Sequence, residues 1–200
     1  MGVIKTALEI ALEKTESVKS DKSSIGLFEA KQRGKKLANT FLEGDVNLID
    51  ELKKTPVTDK ESLIQGIFDV LITQIALPSG EDDEKKIEKL GKGLEILIQS
   101  KDSKKSNEFS AMYKQLTQIY TQYLQESAQY EQMVRQQYAP KLRQKEEELS
   151  RRLGREVRID PLQDPEFVAF YNQHMGAVKA NYEPVVEQAR EEIRKMFGIV

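Results

Sequence analysis

The sequence contains no cysteine and no tryptophan, and His174 is its one histidine. Without cysteine there is no disulfide, no thiolate metal ligand and no cysteine nucleophile. A single histidine also excludes the di-iron site of helical bundles, because that site needs Glu-x-x-His on two helices. The zinc motif His-Glu-x-x-His, the phosphate loop and the Gly-x-Ser-x-Gly elbow are all missing. We therefore predict no catalytic residue, no metal ligand and no cofactor, and we interpret His174 as structural.

Long apolar runs are also missing. The most apolar segment, Ile64 to Leu77, is interrupted by three polar side chains, so no transmembrane helix is predicted. Lys5 and Glu9 lie inside the apolar part of the N-terminus, so we do not expect this segment to be a secretory signal. Met1-Gly2 begins a loose match to the myristoylation pattern, which we interpret as chance. Together with the lack of cysteine, these features favour the cytoplasm.

Charge is abundant but balanced. Charged residues make up 32% of the chain, while the formal net charge is only −2. A balance of this kind gives no global field that would attract nucleic acid or an anionic membrane. The high charge content is instead typical of helices with much exposed surface. Nucleic acid is therefore not the expected partner.

Residues 107–153 carry two helical patterns on opposite faces. The first is an apolar and aromatic stripe with steps of four and three, which predicts a heptad face. Its members are Phe109, Tyr113, Leu116, Tyr120, Tyr123, Ser127, Tyr130 and Val134. Two residues further on, about 200° around the helix, lies a second set that we call the glutamine row. It comprises Gln115, Gln118, Gln122, Gln125, Gln129, Gln132 and Gln136.

A second long helix is predicted near the C-terminus. Asp164-Pro165 is a strong start signal, and Gly198 is a natural stop. From Phe167 onward apolar residues recur every 11 positions, which favours a straight or slightly right-handed helix. The clearest such set is Phe167, Val178, Ala189 and Val200. Pro140 predicts a kink in the first long helix, and Pro184 predicts an interruption of the second.

These patterns predict an all-α protein with two domains. Residues 1–100 form a bundle of about five short helices, and residues 101–200 form a long, proline-kinked, antiparallel hairpin resembling a coiled coil and rooted on that bundle. The five helices are expected at 3–18, 25–42, 46–52 after an Asp45 cap, 59–75, and 87–98, the last with an acidic run at residues 81–84 at its N-terminus. Ser17–Ser24 is expected as a turn, and Gln99–Asn107 as a polar joint. With the hairpin tip near 154–164, centred on Ile159, Tyr138 is expected to face Ala180.

The leading functional hypothesis is a non-enzymatic interaction or scaffold protein that self-associates as a homodimer. Only three charged residues lie between Gln115 and Tyr138, and loss of charge from an exposed face is typical of a protein–protein contact. We place Gln122, Gln125, Gln129 and Gln132 near the centre of that contact. The competing interpretation is that helices of the first half cover this face within one chain.

Two alternative functions depend on other residues. Four arginines cluster at the predicted hairpin tip: Arg151, Arg152, Arg155 and Arg158. They suggest an adaptor that binds an anion, either nucleic acid or a phosphorylated partner, although no aromatic residue lies among them to stack on a base. The second alternative is an enzyme with an unrecognised pocket of carboxylates and tyrosines.

Overall fold

The structure, a computed structural model, describes residues 7–44, 46–80 and 83–199, with side chains described from Ser24 onward. The described residues form six α-helices, one short 3₁₀ helix and no strand, so the all-α prediction is confirmed. The helices are α1 (Ala7–Glu43), α2 (Leu48–Lys54), α3 (Val57–Thr73), α4 (Glu84–Lys101), α5 (Ser103–Leu153) and α6 (Pro165–Phe197). The 3₁₀ helix is Pro161–Gln163.

The N-terminal third holds one helix fewer than predicted. α1 runs without a break through Ser17–Ser24, so the predicted turn is wrong. That segment contains neither glycine nor proline. Its serines and charged residues each cost a helix only a few tenths of a kcal/mol, which is too little to end it. Residues 3–6 of the predicted first helix lie outside the described residues.

Capping side chains set the starts of α5 and α2. The predicted polar joint Gln99–Asn107 is helical except at Asp102, whose carboxylate accepts a hydrogen bond of 3.0 Å from the Lys104 amide and so begins α5. Asn47 caps α2 through the Ile49 amide. The predicted cap Asp45 and the first two acidic residues of the 81–84 run lie outside the described residues.

The chain divides into two compact units. The first is Met1–Ile75 with Glu88–Asn107, and the second is Ala76–Ile87 with Glu108–Val200. In the first unit, α3 carries a broad apolar stripe that is buried. The residues are Leu63, Ile64, Ile67, Phe68, Leu71 and Ile72, with Ile75 buried just beyond the helix.

α1 and α3 cross at two glycines. A Cβ added to Gly34 would lie 2.2 Å from the carbonyl oxygen of Leu63, and one added to Gly66 would lie 2.1 Å from that of Lys31. Both distances are far below van der Waals contact, so only glycine permits this backbone approach. Lys31 and Asp69 form an ion pair of 2.8 Å at the same crossing.

In the second unit α5 and α6 contact each other in antiparallel order. The ring of Tyr138 lies 5.3 Å from that of Phe167, and the ring of Tyr123 lies 5.3 Å from that of Tyr182. The predicted pairing of Tyr138 with Ala180 is therefore wrong.

The reason for the different pairing lies in the connection between the two helices. The chain reverses at Gly154, in the left-handed region with φ 65°, rather than at Ile159. The following extended segment runs back along the end of α5, because the Val157 amide donates to Ser150 Oγ and the Ile159 amide to Glu146, each at 2.9 Å. α6 therefore begins beside Lys145 instead of beside the end of α5.

Both long helices contain a proline and continue through it. Pro140 lies inside α5 and Pro184 inside α6, so the predicted interruption at Pro184 is wrong. Each proline removes one backbone hydrogen bond, but buried residues such as Val186 and Ala189 continue the packed face of α6 beyond it. A kink at Pro140 stays a prediction.

Candidate interaction surface

The glutamine row is exposed along its whole length. α5 buries its aromatic stripe, with Phe109, Tyr113, Leu116, Tyr120, Val134 and Tyr138 all buried. The opposite face carries the seven glutamines from Gln115 to Gln136, and each of them is exposed. These include Gln122, Gln125, Gln129 and Gln132, which the sequence placed at the centre of a contact. The row presents amides, each of which both donates and accepts hydrogen bonds.

The few charges near the row are engaged within their own chain. Arg135 donates to Glu131 from two nitrogens, at 2.8 and 3.0 Å. Glu126 accepts a hydrogen bond of 3.3 Å from the Gln122 amide nitrogen. A surface whose charges already have partners loses less solvation energy when another protein covers it. The surface around the glutamine row thus has few charges without a partner, as is typical of a contact surface.

Two large apolar side chains are exposed next to the glutamines. Met133 is 51% exposed and lies four residues after Gln129, hence on the same helix face. Tyr130 is 42% exposed, although the sequence pattern placed it in the buried stripe. A strict heptad drifts about 20° per repeat on a straight helix, which places Tyr130, three repeats after Phe109, about 60° from Phe109 and at the edge of the buried face. The four-residue spacing from Gln129 was the signal in the sequence that could have placed Met133 on the face of the glutamine row.

The face of α5 opposite the glutamine row is held against α6 by aromatic contacts. Tyr123 meets Tyr182 edge-on, with 5.3 Å between ring centroids. Burial and a hydrogen bond to Glu126 raise the pKa of Tyr182 to about 12. Glu126 also accepts the hydrogen bond from Gln122, a member of the glutamine row.

A second cluster lies closer to the turn. Val134, Tyr138 and Phe167 are buried together, and the ring of Tyr138 also lies 5.6 Å from that of Phe170. Lys145 and Lys141 place their ammonium groups over Tyr138, at 5.9 and 5.5 Å from the ring centroid. These contacts hold α5 against α6 and leave the glutamine row on the uncovered side.

The four arginines at the turn are all exposed, but most of them have acidic neighbours. Arg151 pairs with Glu147, Arg152 with Glu148, and Arg158 with Glu156. Arg155 has no ion pair within the part of the chain that the structure describes. The neighbouring glutamates reduce the positive field that a phosphate would meet. The first two pairs have i,i+4 spacing, whereas Glu156 and Arg158 lie two residues apart.

Several other polar side chains lie away from the glutamine row and the turn. His174 is half-buried, and its ring lies 4.4 Å from that of Phe170. The buried hydroxyls of Tyr120 and Ser127 have no hydrogen-bond partner among the described residues, and burial raises the pKa of Tyr120. No group of three metal-binding side chains is found among the described residues.

A groove of about 440 Å³ lies along α6. Its charged lining side chains are paired with each other, Arg190 with Glu187 at 2.7 Å and Lys179 with Glu183 at 3.5 Å. Its other lining residues are Ala76, Leu77, Pro184 and Val186.

The fold and this surface define an all-helical protein with a long, amide-lined helix as its most distinctive exposed feature. Among the described helices, none is long and apolar enough to cross a membrane. Residues 49–195 match the family described as "Family of unknown function (DUF6657)", and the chain belongs to that family. No curated protein and no solved structure matches the chain.

Proposed function

We propose that this protein is a non-enzymatic, cytoplasmic scaffold that self-associates through the glutamine row of α5. In this proposal α5 and α6 form a coiled-coil-like hairpin, rooted on a helical bundle, which presents the row to a second copy. The supporting observation is that all seven glutamines are exposed on one helix face. The three charged residues between Gln115 and Tyr138 are engaged within the chain.

Amide chemistry makes the row complementary to itself. Each glutamine carries two donor hydrogens and a carbonyl acceptor, so one amide can bond to the same group of another copy. A twofold axis would bring identical surfaces together without requiring opposite charges. Met133 and Tyr130 add apolar area beside the amides, and methionine and tyrosine are both enriched at protein interfaces.

The expected affinity is moderate. Hydrogen bonds between amides replace hydrogen bonds to water, so each contributes only about 1 kcal/mol or less. The row from Gln115 to Gln136 spans about 32 Å at 1.5 Å per residue. We therefore expect a dimer that forms at micromolar concentration, in the class of modest rather than obligate interfaces.

Charge insertion tests the proposal. The double variant Gln125→Glu, Gln129→Glu places four like charges in the seam and should be monomeric in sedimentation experiments. The matched control is Gln173→Glu, Gln188→Glu, which changes the charge equally at exposed positions of α6 and should remain dimeric. An unchanged dimer in the first variant, together with an unchanged melting temperature, contradicts the proposal.

A mixing experiment distinguishes a specific loss of association from misfolding of a variant. The variant Gln125→Lys, Gln129→Lys should also be monomeric alone, because like charges again oppose each other across the seam. Mixed in equal amounts, the acidic and basic variants should form a heterodimer, since the seam now carries opposite charges. Two variants that stay monomeric in the mixture would contradict a seam in which residues 125 and 129 of the two copies face each other. Two variants that are dimeric on their own would place the association elsewhere.

The two other functions remain secondary proposals. An anion-binding adaptor would use Arg151, Arg152, Arg155 and Arg158. The supporting observation is that Arg155 is exposed and has no ion pair among the described residues. An enzyme would need a set of groups that converge on a substrate. The charged side chains around the groove along α6 are instead paired with one another.

A further inference from the structure

Met133 differs from the other methionines in its surroundings. Of the four methionines whose side chains the structure describes, Met112, Met175 and Met196 are half-buried, and Met133 alone is exposed. It is 51% exposed in a stretch that is otherwise lined with amides. The chain contains no cysteine, so methionine is its only sulfur that an oxidant can reach.

We propose that Met133 is an oxidation site at which a peroxide controls self-association. The inference rests on the proposed function, because Met133 lies next to Gln129 and Gln136 on the face assigned to the seam. In the separated chain the thioether is accessible, whereas in the dimer the partner covers it. Association and oxidation therefore oppose each other: the dimer protects Met133, and oxidised chains associate less tightly.

The chemistry needs only the thioether and a peroxide. A sulfur lone pair attacks one oxygen of hydrogen peroxide, the O–O bond breaks, and water leaves as the sulfoxide forms. Sulfur is oxidised by two electrons and the peroxide is reduced by two. The product replaces a flexible apolar side chain with a polar, chiral one. An apolar contact of the seam is thereby lost in both copies.

The expected effect is large enough to measure. Loss of burial of one methionine side chain in each copy should weaken the dimer by about tenfold or more. Hydrogen peroxide is titrated into the full-length protein, the sulfoxide at Met133 is quantified by peptide mass spectrometry, and the dissociation constant is measured by sedimentation. We expect the dissociation constant to rise in step with the oxidation of Met133.

Three variants separate this site from the remaining methionines. Met133→Leu keeps an apolar side chain without a thioether and should stay dimeric in peroxide. Met133→Gln imitates the polar product and should be weakened without peroxide. Met175→Leu should respond to peroxide as the wild type does, because Met133 is still present.

The possible failures are distinguishable. A wild-type chain that is monomeric before oxidation contradicts the proposed function and this inference together. A wild-type dimer that keeps its affinity after Met133 has been fully converted overturns only the inference. The inference alone is also overturned if peroxide dissociates the Met133→Leu dimer as readily as the wild-type dimer.

Discussion

Lys145 Nζ lies 2.7 Å from one carboxylate oxygen of Asp164 and 2.9 Å from the other, and so joins α5 to the first residue before α6. Asp164 is the one buried charged residue among those described, with 4% of its surface exposed. The same carboxylate accepts hydrogen bonds from the Glu166 and Phe167 amides and so caps α6. One side chain therefore both starts a helix and fixes that helix against its neighbour.

Replacing Asp164 by alanine should destabilise the second unit substantially. The lost N-cap costs about 0.5–2 kcal/mol of unfolding free energy, and the loss of the main partner of Lys145 adds to it. Asp164→Asn should cost less, because asparagine is an equally good cap. Urea unfolding at neutral pH measures both variants. Equal losses from the two substitutions would show that the capping oxygen does not contribute.

Asp164 should also make stability depend on pH. The hydrogen bond from Lys145, followed by those from the two amides, lowers the pKa of Asp164 in the folded chain. A lowered carboxyl pKa contributes stability that is present above the unfolded pKa, about 3.9, and is lost as pH falls through the folded pKa. We expect the difference in unfolding free energy between wild type and Asp164→Asn to be largest near neutral pH and to shrink below about pH 4. A difference independent of pH would contradict the role of the ion pair.

The glycine crossing of α1 and α3 gives a prediction for the first unit. Gly34→Ala should lower the unfolding free energy by about 1–3 kcal/mol, because the new methyl group meets the Leu63 carbonyl and the helices must separate. Gly26→Ala, on the same helix, has no atom within 4 Å of the added Cβ. It should instead stabilise α1, by up to about 1 kcal/mol. Thermal unfolding of both variants checks the contrast, and similar effects of the two would contradict the observed close approach.

The arginine cluster at the turn should contribute little to nucleic-acid binding. Three of its four members have a glutamate partner nearby. Replacing Arg151, Arg152, Arg155 and Arg158 by serine should leave the salt dependence of any nucleic-acid binding unchanged. A logarithmic slope that falls by about 0.9 for each lost phosphate contact would instead support the anion-binding function.

The helical class, the buried stripe of α5 and most helix ends were predictable from local signals. Asp164-Pro165, Gly154 and Gly198 each act through the backbone of their own few residues, so sequence spacing is sufficient to locate them. The break expected at Ser17–Ser24 failed because polarity alone was taken as a stop signal. No residue in that segment opposes helical geometry strongly.

The pairing of α5 with α6 was not predictable in the same way. Symmetric counting from Ile159 assumed that the connection turns at its midpoint. The observed reversal at Gly154 depends on Ser150 and Glu146, whose side chains bind the returning backbone. Such contacts join residues 7 and 13 positions apart in an irregular segment, and no periodic pattern reveals them. The position of the glutamine row opposite the buried stripe could be predicted, but its exposure was only one of two interpretations. The exposure of Tyr130 depended on how far the heptad drifts.

The most direct measurement of the central claim is the mass of the full-length chain in solution. Analytical ultracentrifugation is run over a concentration range from below one micromolar to about a hundred, where a modest interface is expected to assemble. We predict a concentration-dependent shift from 22.9 kDa toward twice that mass. A single species that stays at 22.9 kDa throughout this range would contradict self-association through the glutamine row.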